Sequence, residues 1–261
     1  MRIAIFTQDD PFYLPALIER IVQARGADVR RIVILKPFNE SLKRTASRVL
    51  ALYGPVDFVF QGLRFVKHRA AGWLARAMPA SCSRPWSVEN VARKYGVPVD
   101  RPGNVNDPAY LAYLKRDVQP DVVLSVAASQ IFRKPLLALP PLGCINVHTA
   151  PLPRYRGMLP NFWVLLNGES ETAVTVHEMN EKLDDGPILM QQAVPIHPDD
   201  TLESLIRRTK QVAAEVVLKV LDQLEAGTAQ RLPNDSAAAT YFSFPTRADA
   251  MLFRQRGLRV R

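Results

Sequence analysis

A chain of 261 residues with 48% hydrophobic content is long enough to bury a substantial core, and it reads as one domain with a small C-terminal extension. The opening MRIAIFTQDD lacks the pattern of a signal peptide, and no apolar run nears the roughly 20 residues of a membrane-spanning helix, so a soluble, cytoplasmic protein is expected. Only Cys82 and Cys144 are present, without paired Cys/His spacing, which supports neither a disulfide framework nor a metal site, while a net charge of +9 suits a phosphate-bearing partner.

Arg2 to Phe6 is a short apolar run followed by the polar loop TQDDP, and Phe12 to Arg25 then carries apolar residues at helical spacing before Gly26, a candidate C-terminal cap. Arg31 to Leu35 is a second buried strand. A βαβ opening with a right-handed crossover implies a parallel sheet and an α/β fold. From Ser41 to Arg76 the chain is helical and basic. In its stretch 56–78, Arg64, Lys67, Arg69 and Arg76 interleave with Phe58, Phe60, Leu63, Phe65, Trp73 and Leu74, which predicts an amphipathic surface helix with one buried face; a membrane-surface or partner-docking role is the alternative. Ser83 to Asp107 is a loop region around a short helix at Val88 to Tyr95, and Pro108 to Lys115 is another helix. Asp121 to Ala127 and Gly143 to His148 read as central strands, and Thr172 to Met179 and Pro187 to Ile196 as two more around the loop NEKLDDG. Asp200 with Glu203 has capping-box spacing and opens a long helix ending before Gly227, whose apolar positions keep one face. The tail from Arg231 holds TYFSFPT and a short helical stretch.

The segment CINVHTAPLPRYRG carries the chemistry. Side chains alternate along a strand, so Cys144, Asn146 and His148 share one side and Ile145 and Val147 the other. Ligands of open parallel sheets bind beyond the carboxyl ends of the strands, where Asn146 and His148 fall. A strand-capping role is the alternative for either residue alone. His177, within an alternating strand, and His197, before Pro198, read as strand-face and loop residues, and His68 belongs to the basic helix.

With its neighbours, NVHTAPLPRYRG resembles the N-x-H-x-S-x-x-P-x-[FYW]-x-G signature of the formyltransferases that use N10-formyltetrahydrofolate, matching at Asn146, His148, Pro153, Tyr155 and Gly157. AVTVHEMNEKLDDGPILMQQ is similar to the family's second signature, with Asp184 and Gly186 at its Asp-x-Gly, and DVVLSVAASQIF resembles its folate-pocket strand. Ala150 stands where the family usually has Ser, and Ser129 and Gln130 depart from the larger or basic residues usual there. The resemblance spans roughly residues 1–200 and implies a Rossmann-like formyltransferase fold with a mostly parallel central sheet: residues 1–200 form the catalytic domain, and 201–261 a C-terminal helix and tail packed on it. It implies catalysis by Asn146, His148 and Asp184, with Asp185 a second candidate for the acid, and a folate site at Gln130, Ile131, Phe132, Met179, Glu181 and Leu183. In those roles Asn146 donates to the oxyanion, His148 moves the proton, and Asp184 orients His148 or holds a relaying water.

Within the family, Thr7 to Pro11 is acidic and glycine-free, unlike the phosphate loop of glycinamide ribonucleotide transformylases. PALIER is similar to the start of methionyl-tRNA and sugar N-formyltransferases. The residues after Thr201 provide one long helix and a short tail, which favours the sugar enzymes over the tRNA enzymes with their added barrel domain. The expected acceptor is therefore a nucleoside-diphosphate amino sugar of surface polysaccharide (lipopolysaccharide) biosynthesis, with Tyr241, Phe242 and Phe244 either stacking on its base or packing as a terminal hairpin. No DNA partner is expected, tRNA is disfavoured, and a homodimer is allowed. The alternatives are a methionyl-tRNA formyltransferase-like enzyme, a formyltetrahydrofolate hydrolase and a non-catalytic binding module.

Overall fold

Strand β1 (Ile3–Gln8) divides its side chains between two layers: Ile3 and Ile5 enter one hydrophobic cluster and Ala4 and Phe6 another. That division is the alternation of a strand buried on both faces, which requires cover on both sides of the sheet. The computed structural model describes residues 1–36, 41–77 and 85–261. Cys82, Ser83 and the end of the 56–78 stretch fall outside these residues, as does the side chain of Arg76.

Around β1 stand β2 (Val29–Leu35), β3 (Val99–Asp100), β4 (Val122–Val126), β5 (Cys144–His148), β7 (Glu171–Glu178) and β8 (Ile188–Pro195), in the order β3-β2-β1-β4-β5-β7-β8. The first five strands of that order pair in parallel; β7 runs antiparallel to β5, and β8 to β7. The sheet is thus mostly parallel and the class α/β. Helices α1 (Leu14–Arg25), α3 (Val88–Lys94) and α7 (Leu202–Glu225) cover one face. Helix α4 (Pro108–Tyr113), which runs into a π-turn at Leu114–Val118, and the single turn α5 (Lys134–Leu137) cover the other. A third cluster joins α6 (Pro160–Leu166), the start of α7 and α8 (Arg247–Gln255).

Several local expectations change. Gly26 follows α1 but stays in right-handed helical space at φ −56°, so the helix ends without a left-handed cap. Helix α2 (Leu42–Ala77) is broken at Gly54, φ 76° and ψ 170°, ahead of Pro55, whose ring and missing N–H cannot continue a helix. The box that opens α7 is Thr201 with Ser204, one residue later than expected: Thr201 is the last extended residue, and Asp200 turns to Arg208 and the His197 N–H. Helix α6 escapes a periodicity search because six of its seven residues are buried. The tail forms no hairpin, since β9 (Tyr241–Phe242) pairs in parallel with β6 (Arg156–Gly157).

Phe132 is also repositioned. It is 1% exposed and packs edge-to-face on Phe6 with ring centroids 5.2 Å apart, in the layer under α4 and α5. A side chain enclosed by the core has no face left for a pterin. Phe132→Ala should accordingly cost about 3–5 kcal/mol of stability, as large-to-small core changes do, and leave the folate KM of the folded fraction unchanged. Denaturant unfolding with folate kinetics checks this; a stable variant with a raised KM would return Phe132 to the pocket.

Candidate active site

Strand β5 sends Ile145 and Val147 into the α1/α7 core, which turns Cys144, Asn146 and His148 to the opposite side, as the strand alternation requires. Asn146 is half-buried, whereas His148 is 6% and Asp184 7% exposed, so only the amide of this trio reaches solvent. Sequence reasoning set Asn146 and His148 at an open strand end and Asp184 in a solvent-facing loop. The chain closes over His148 and Asp184 because loop 149–157 folds back across His148 and the β7–β8 loop brings Asp184 beneath it.

The Asp184 carboxylate is the meeting point. One oxygen, Oδ2, accepts the Gly157 N–H at 2.8 Å and lies 3.6 Å from His148 Nδ1. Its Oδ1 lies 3.5 Å from both Asn146 Nδ2 and His177 Nε2. Two glycines make this approach feasible. At Gly157, φ is 105° and a Cβ would stand 2.1 Å from the Phe242 carbonyl oxygen; at Gly186 it would stand 1.9 Å from that of Glu178. Only a residue without a side chain lets these backbones touch. Asp184 itself is held at φ 50° and Tyr155 at φ 62°, left-handed conformations that cost about 1–3 kcal/mol each and persist where the surroundings enforce them.

The histidines are fixed by carbonyls. His148 Nε2 lies 2.7 Å from the Tyr155 carbonyl oxygen, which can only accept, so Nε2 carries a proton and Nδ1 is the nitrogen that titrates, facing Asp184. By the same logic His177 Nδ1 donates to the Glu178 carbonyl at 2.7 Å, leaving Nε2 to accept from Asn146 Nδ2 at 3.2 Å. His177 therefore orients the amide of Asn146. The second Nδ2 hydrogen has only the long 3.5 Å contact to Asp184 and is free to donate to a ligand. Sequence reasoning passed over His177, whose signal lies in register: it stands directly across β5–β7 from Asn146.

Burial pushes the His148 pKa below its ordinary 6.5, against the pull of Asp184, and the positive charge of Lys210 on α7 acts in the same direction as burial. Burial alone would raise the Asp184 pKa, but the His148 and His177 rings and the Gly157 N–H outweigh it and hold the carboxyl well below the usual range. At neutral pH the pair is an ionised carboxylate beside a neutral imidazole, able to take up a proton that Asp184 stabilises. Lys210, lowered by its own burial and countered by Asp10, is a second residue that the sequence reading left out.

Asp185 has another role. It is ion-paired at 2.5 Å with the buried Arg156 and accepts from Ser236 Oγ, tying the loop to the tail. Of the folate candidates besides Phe132, Ile131 and Leu183 are 75% and 51% exposed apolar side chains, Glu181 is exposed, and the half-buried Met179 gives its N–H to the Cys144 carbonyl at 2.7 Å. Gln130 faces the protein: its Oε1 accepts the Val105 N–H and its Nε2 donates to the Gly103 carbonyl, so its side chain braces the 103–106 loop and is not presented to a ligand. Phe242 stacks on Tyr155 and Trp163, with centroids 5.2 and 4.8 Å away, and Tyr241 is the exposed member of the tail pair.

An amide donor, an imidazole and a buried carboxylate gathered at the carboxyl edge of an open α/β sheet form an arrangement chemically able to stabilise a developing oxyanion and to move one proton. Residues 87–221 match the formyl transferase family, and the chain belongs to that family, whose formyl donor is N10-formyltetrahydrofolate. A methionyl-tRNA formyltransferase of Syntrophus aciditrophicus is 39% identical over 165 residues, which cover 63% of this chain and 53% of that protein. The chain spans about half the length of the curated relatives it matches. Among solved structures, a sugar N-formyltransferase from Shewanella sp. superposes with a TM-score of 0.60 at 19% identity, over 97% of this chain and 87% of the other. An N-formyltransferase from Helicobacter canadensis, solved with folinic acid and dTDP-3-aminofucose, gives 0.59 at 17% identity over 93% and 71%. At these identities the structures share the fold.

The site makes a signed statement about pH. Asp184 raises the His148 pKa and burial lowers it further than Asp184 raises it, so the imidazole should titrate below 6.5 and Asp184→Asn should move it lower still. Ring-proton NMR of His148 in both proteins reads the two midpoints; an upward move on removing the carboxylate would contradict this account of the pair.

Proposed function

We propose that the chain transfers the formyl group of N10-formyltetrahydrofolate to a primary amine, with Asn146, His148 and Asp184 as the reacting centre. The observation that carries this reading is the convergence of those three side chains on one another inside the segment that matches the family. The amine nitrogen attacks the formyl carbon, and the carbonyl oxygen takes the negative charge where the free Asn146 Nδ2–H can donate to it. The amine nitrogen gives up a proton as N10 gains one and the carbon–N10 bond breaks, which releases tetrahydrofolate and a formamide. Neutral His148 accepts the amine's proton at Nδ1, directly or through water, Asp184 stabilises the cation that results, and the imidazolium then gives the proton to N10. Ile131 and Leu183, exposed apolar side chains on the loops flanking the site, suit the pterin better than Phe132 and Gln130.

For the acceptor, sequence identity of 36–40% to methionyl-tRNA formyltransferases supports an aminoacyl-tRNA amine, and a net charge of +9 suits a polyanion. This reverses the order reached from sequence, where tRNA was disfavoured. A nucleotide-linked amino sugar is the second reading, favoured by the exposed Tyr241 at the β6–β9 edge as a face for a base. A glycinamide ribonucleotide-type phosphate at the start of α1 is disfavoured by one contact: Asp10 Oδ1 already accepts the Phe12 and Tyr13 N–H groups at 2.5 and 3.0 Å, so a carboxylate stands where an anion would bind.

The test offers methionyl-tRNA, dTDP-, UDP- and GDP-linked amino sugars and glycinamide ribonucleotide, with product mass followed alongside tetrahydrofolate release. Transfer to methionyl-tRNA is expected to lead, and a faster sugar nucleotide would replace that acceptor. On whichever acceptor turns over, Asn146→Ala should lower kcat about 100- to 1000-fold, the usual loss for one oxyanion donor, with little change in folate KM. Near wild-type turnover in that variant would remove Asn146 from the chemistry.

A further inference from the structure

The second segment of α2 has an inner face that meets the protein and an outer apolar face that, among the described residues, is left uncovered. Gln61, His68 and Ala75 are buried along the inner face. That face is fastened by His68 Nδ1 at 3.0 Å from the Pro11 carbonyl, by Arg64 on Glu203 at 2.5 Å, by Arg69 on Asp9 at 2.8 Å and by Asn90 on the Gly72 carbonyl at 3.2 Å. About half a turn around the helix, Val56, Val59, Leu63, Val66, Trp73 and Leu74 recur at three- and four-residue spacing, each 59–69% exposed. Phe60, 49% exposed, and Lys67 lie within the same stripe. The sequence reading of a surface helix with one buried face accounts for the inner stripe and leaves the outer one without cover.

The outer stripe extends for about 27 Å at the helical rise, and soluble monomers rarely expose a contiguous apolar surface of that size. Lys43–Ala75 is long and apolar enough to cross a membrane, with only 11% of its most apolar window buried, which corrects the expectation that no such stretch exists. The break at Gly54 and the contacts along the inner face keep this helix lying against the protein.

We propose that the Val56–Leu74 face of α2 docks flat on an anionic phospholipid bilayer. Charge selects this occupant. Leu42–Ala77 holds seven Lys or Arg, of which Arg64 and Arg69 are paired with Glu203 and Asp9 on the inner face, and a single acid, Asp57, which is ion-paired with Arg261 at 3.2 Å. Lys67 sits in the middle of the stripe, ready to reach headgroup phosphates while its neighbours enter the acyl boundary. A second copy packed on the same face about a twofold axis would bury Lys67 of both copies in one apolar seam. RNA, met by cations and hydrogen bonds, has little use for the six apolar side chains. The helix is anchored to Asp9 and Pro11, at the carboxyl edge of the sheet that also carries Asn146 and His148, so docking would bring that edge beside the headgroups.

Vesicle flotation tests the proposal on the whole chain. The protein should float with vesicles of phosphatidylcholine containing about one-third phosphatidylglycerol, float poorly with phosphatidylcholine alone, and detach as salt is raised. Leu63→Gln, Val66→Gln, Trp73→Gln and Leu74→Gln together should abolish flotation, with the thermal unfolding transition retained because all four are exposed. Lys67→Glu, which keeps the stripe apolar, should weaken binding to anionic vesicles about fivefold or more. A wild-type protein that ignores anionic vesicles, or a quadruple variant that floats equally well, would overturn the proposal. So would a dimer in sedimentation velocity that the quadruple variant dissociates while the wild type shows no flotation, since the stripe would then belong to a second copy.

Discussion

The site depends on one buried carboxylate. Asp184 is 7% exposed, and a charge so placed persists only where hydrogen-bond donors and partner rings surround it. Its partners come from three places: His148 at the end of β5, the Gly157 N–H on β6 and His177 on β7. The carboxylate therefore fastens the junction at which the parallel sheet gives way to antiparallel strands. Gly157 and Gly186 are glycines so that the backbones beside it can close, and Tyr155 and Asp184 accept left-handed conformations for the same reason. An apolar residue would fit this junction more cheaply, and the retention of a charge is intelligible as the means of stabilising a transient imidazolium.

Around that carboxylate the division of labour follows from exposure. Asn146, half-buried, reaches solvent and is oriented from behind by His177; His148 is locked in one tautomer by the Tyr155 carbonyl and presents Nδ1 to Asp184. In the proposed formyl transfer this arrangement would need little rearrangement, because donor and base are set before substrate arrives. In the proposed reaction acceptor choice would fall to surfaces that differ from this centre in chemistry: the Asp10-capped start of α1, the Tyr241 edge and the basic outer surface. The fold superposes on that of a sugar N-formyltransferase while the sequence resembles tRNA enzymes, as expected where one fold hosts several functions.

What could be read from sequence was what has short period or local chemistry. The strands from β1 to β8 longer than two residues were visible as apolar runs, and the Asn146/His148 pair was visible through strand alternation. Features created by distant chain segments were not. The role of His177 exists only in the β5–β7 register, and the burial of His148 and Asp184 depends on loops 149–157 and 179–187 meeting over them. Phe132 and Gln130 looked like pocket residues beside a strand end, yet one is claimed by Phe6 and the other by the 103–106 loop. The outer stripe of α2 was present in the sequence as apolar spacing; which of its two faces met the protein required the fold.

The most direct test of the central claim is a crystal structure with 5-formyltetrahydrofolate, a stable formyl-bearing relative of the donor. The pterin should lie against Ile131 and Leu183, with its tail directed so that the N10 position is about 3–3.5 Å from Asn146 Nδ2 and on the open side of His148. A folate bound with N10 far from Asn146, or seated where His148 and Asp184 cannot reach the reacting carbon, would contradict the assignment of this cluster as the centre of formyl transfer.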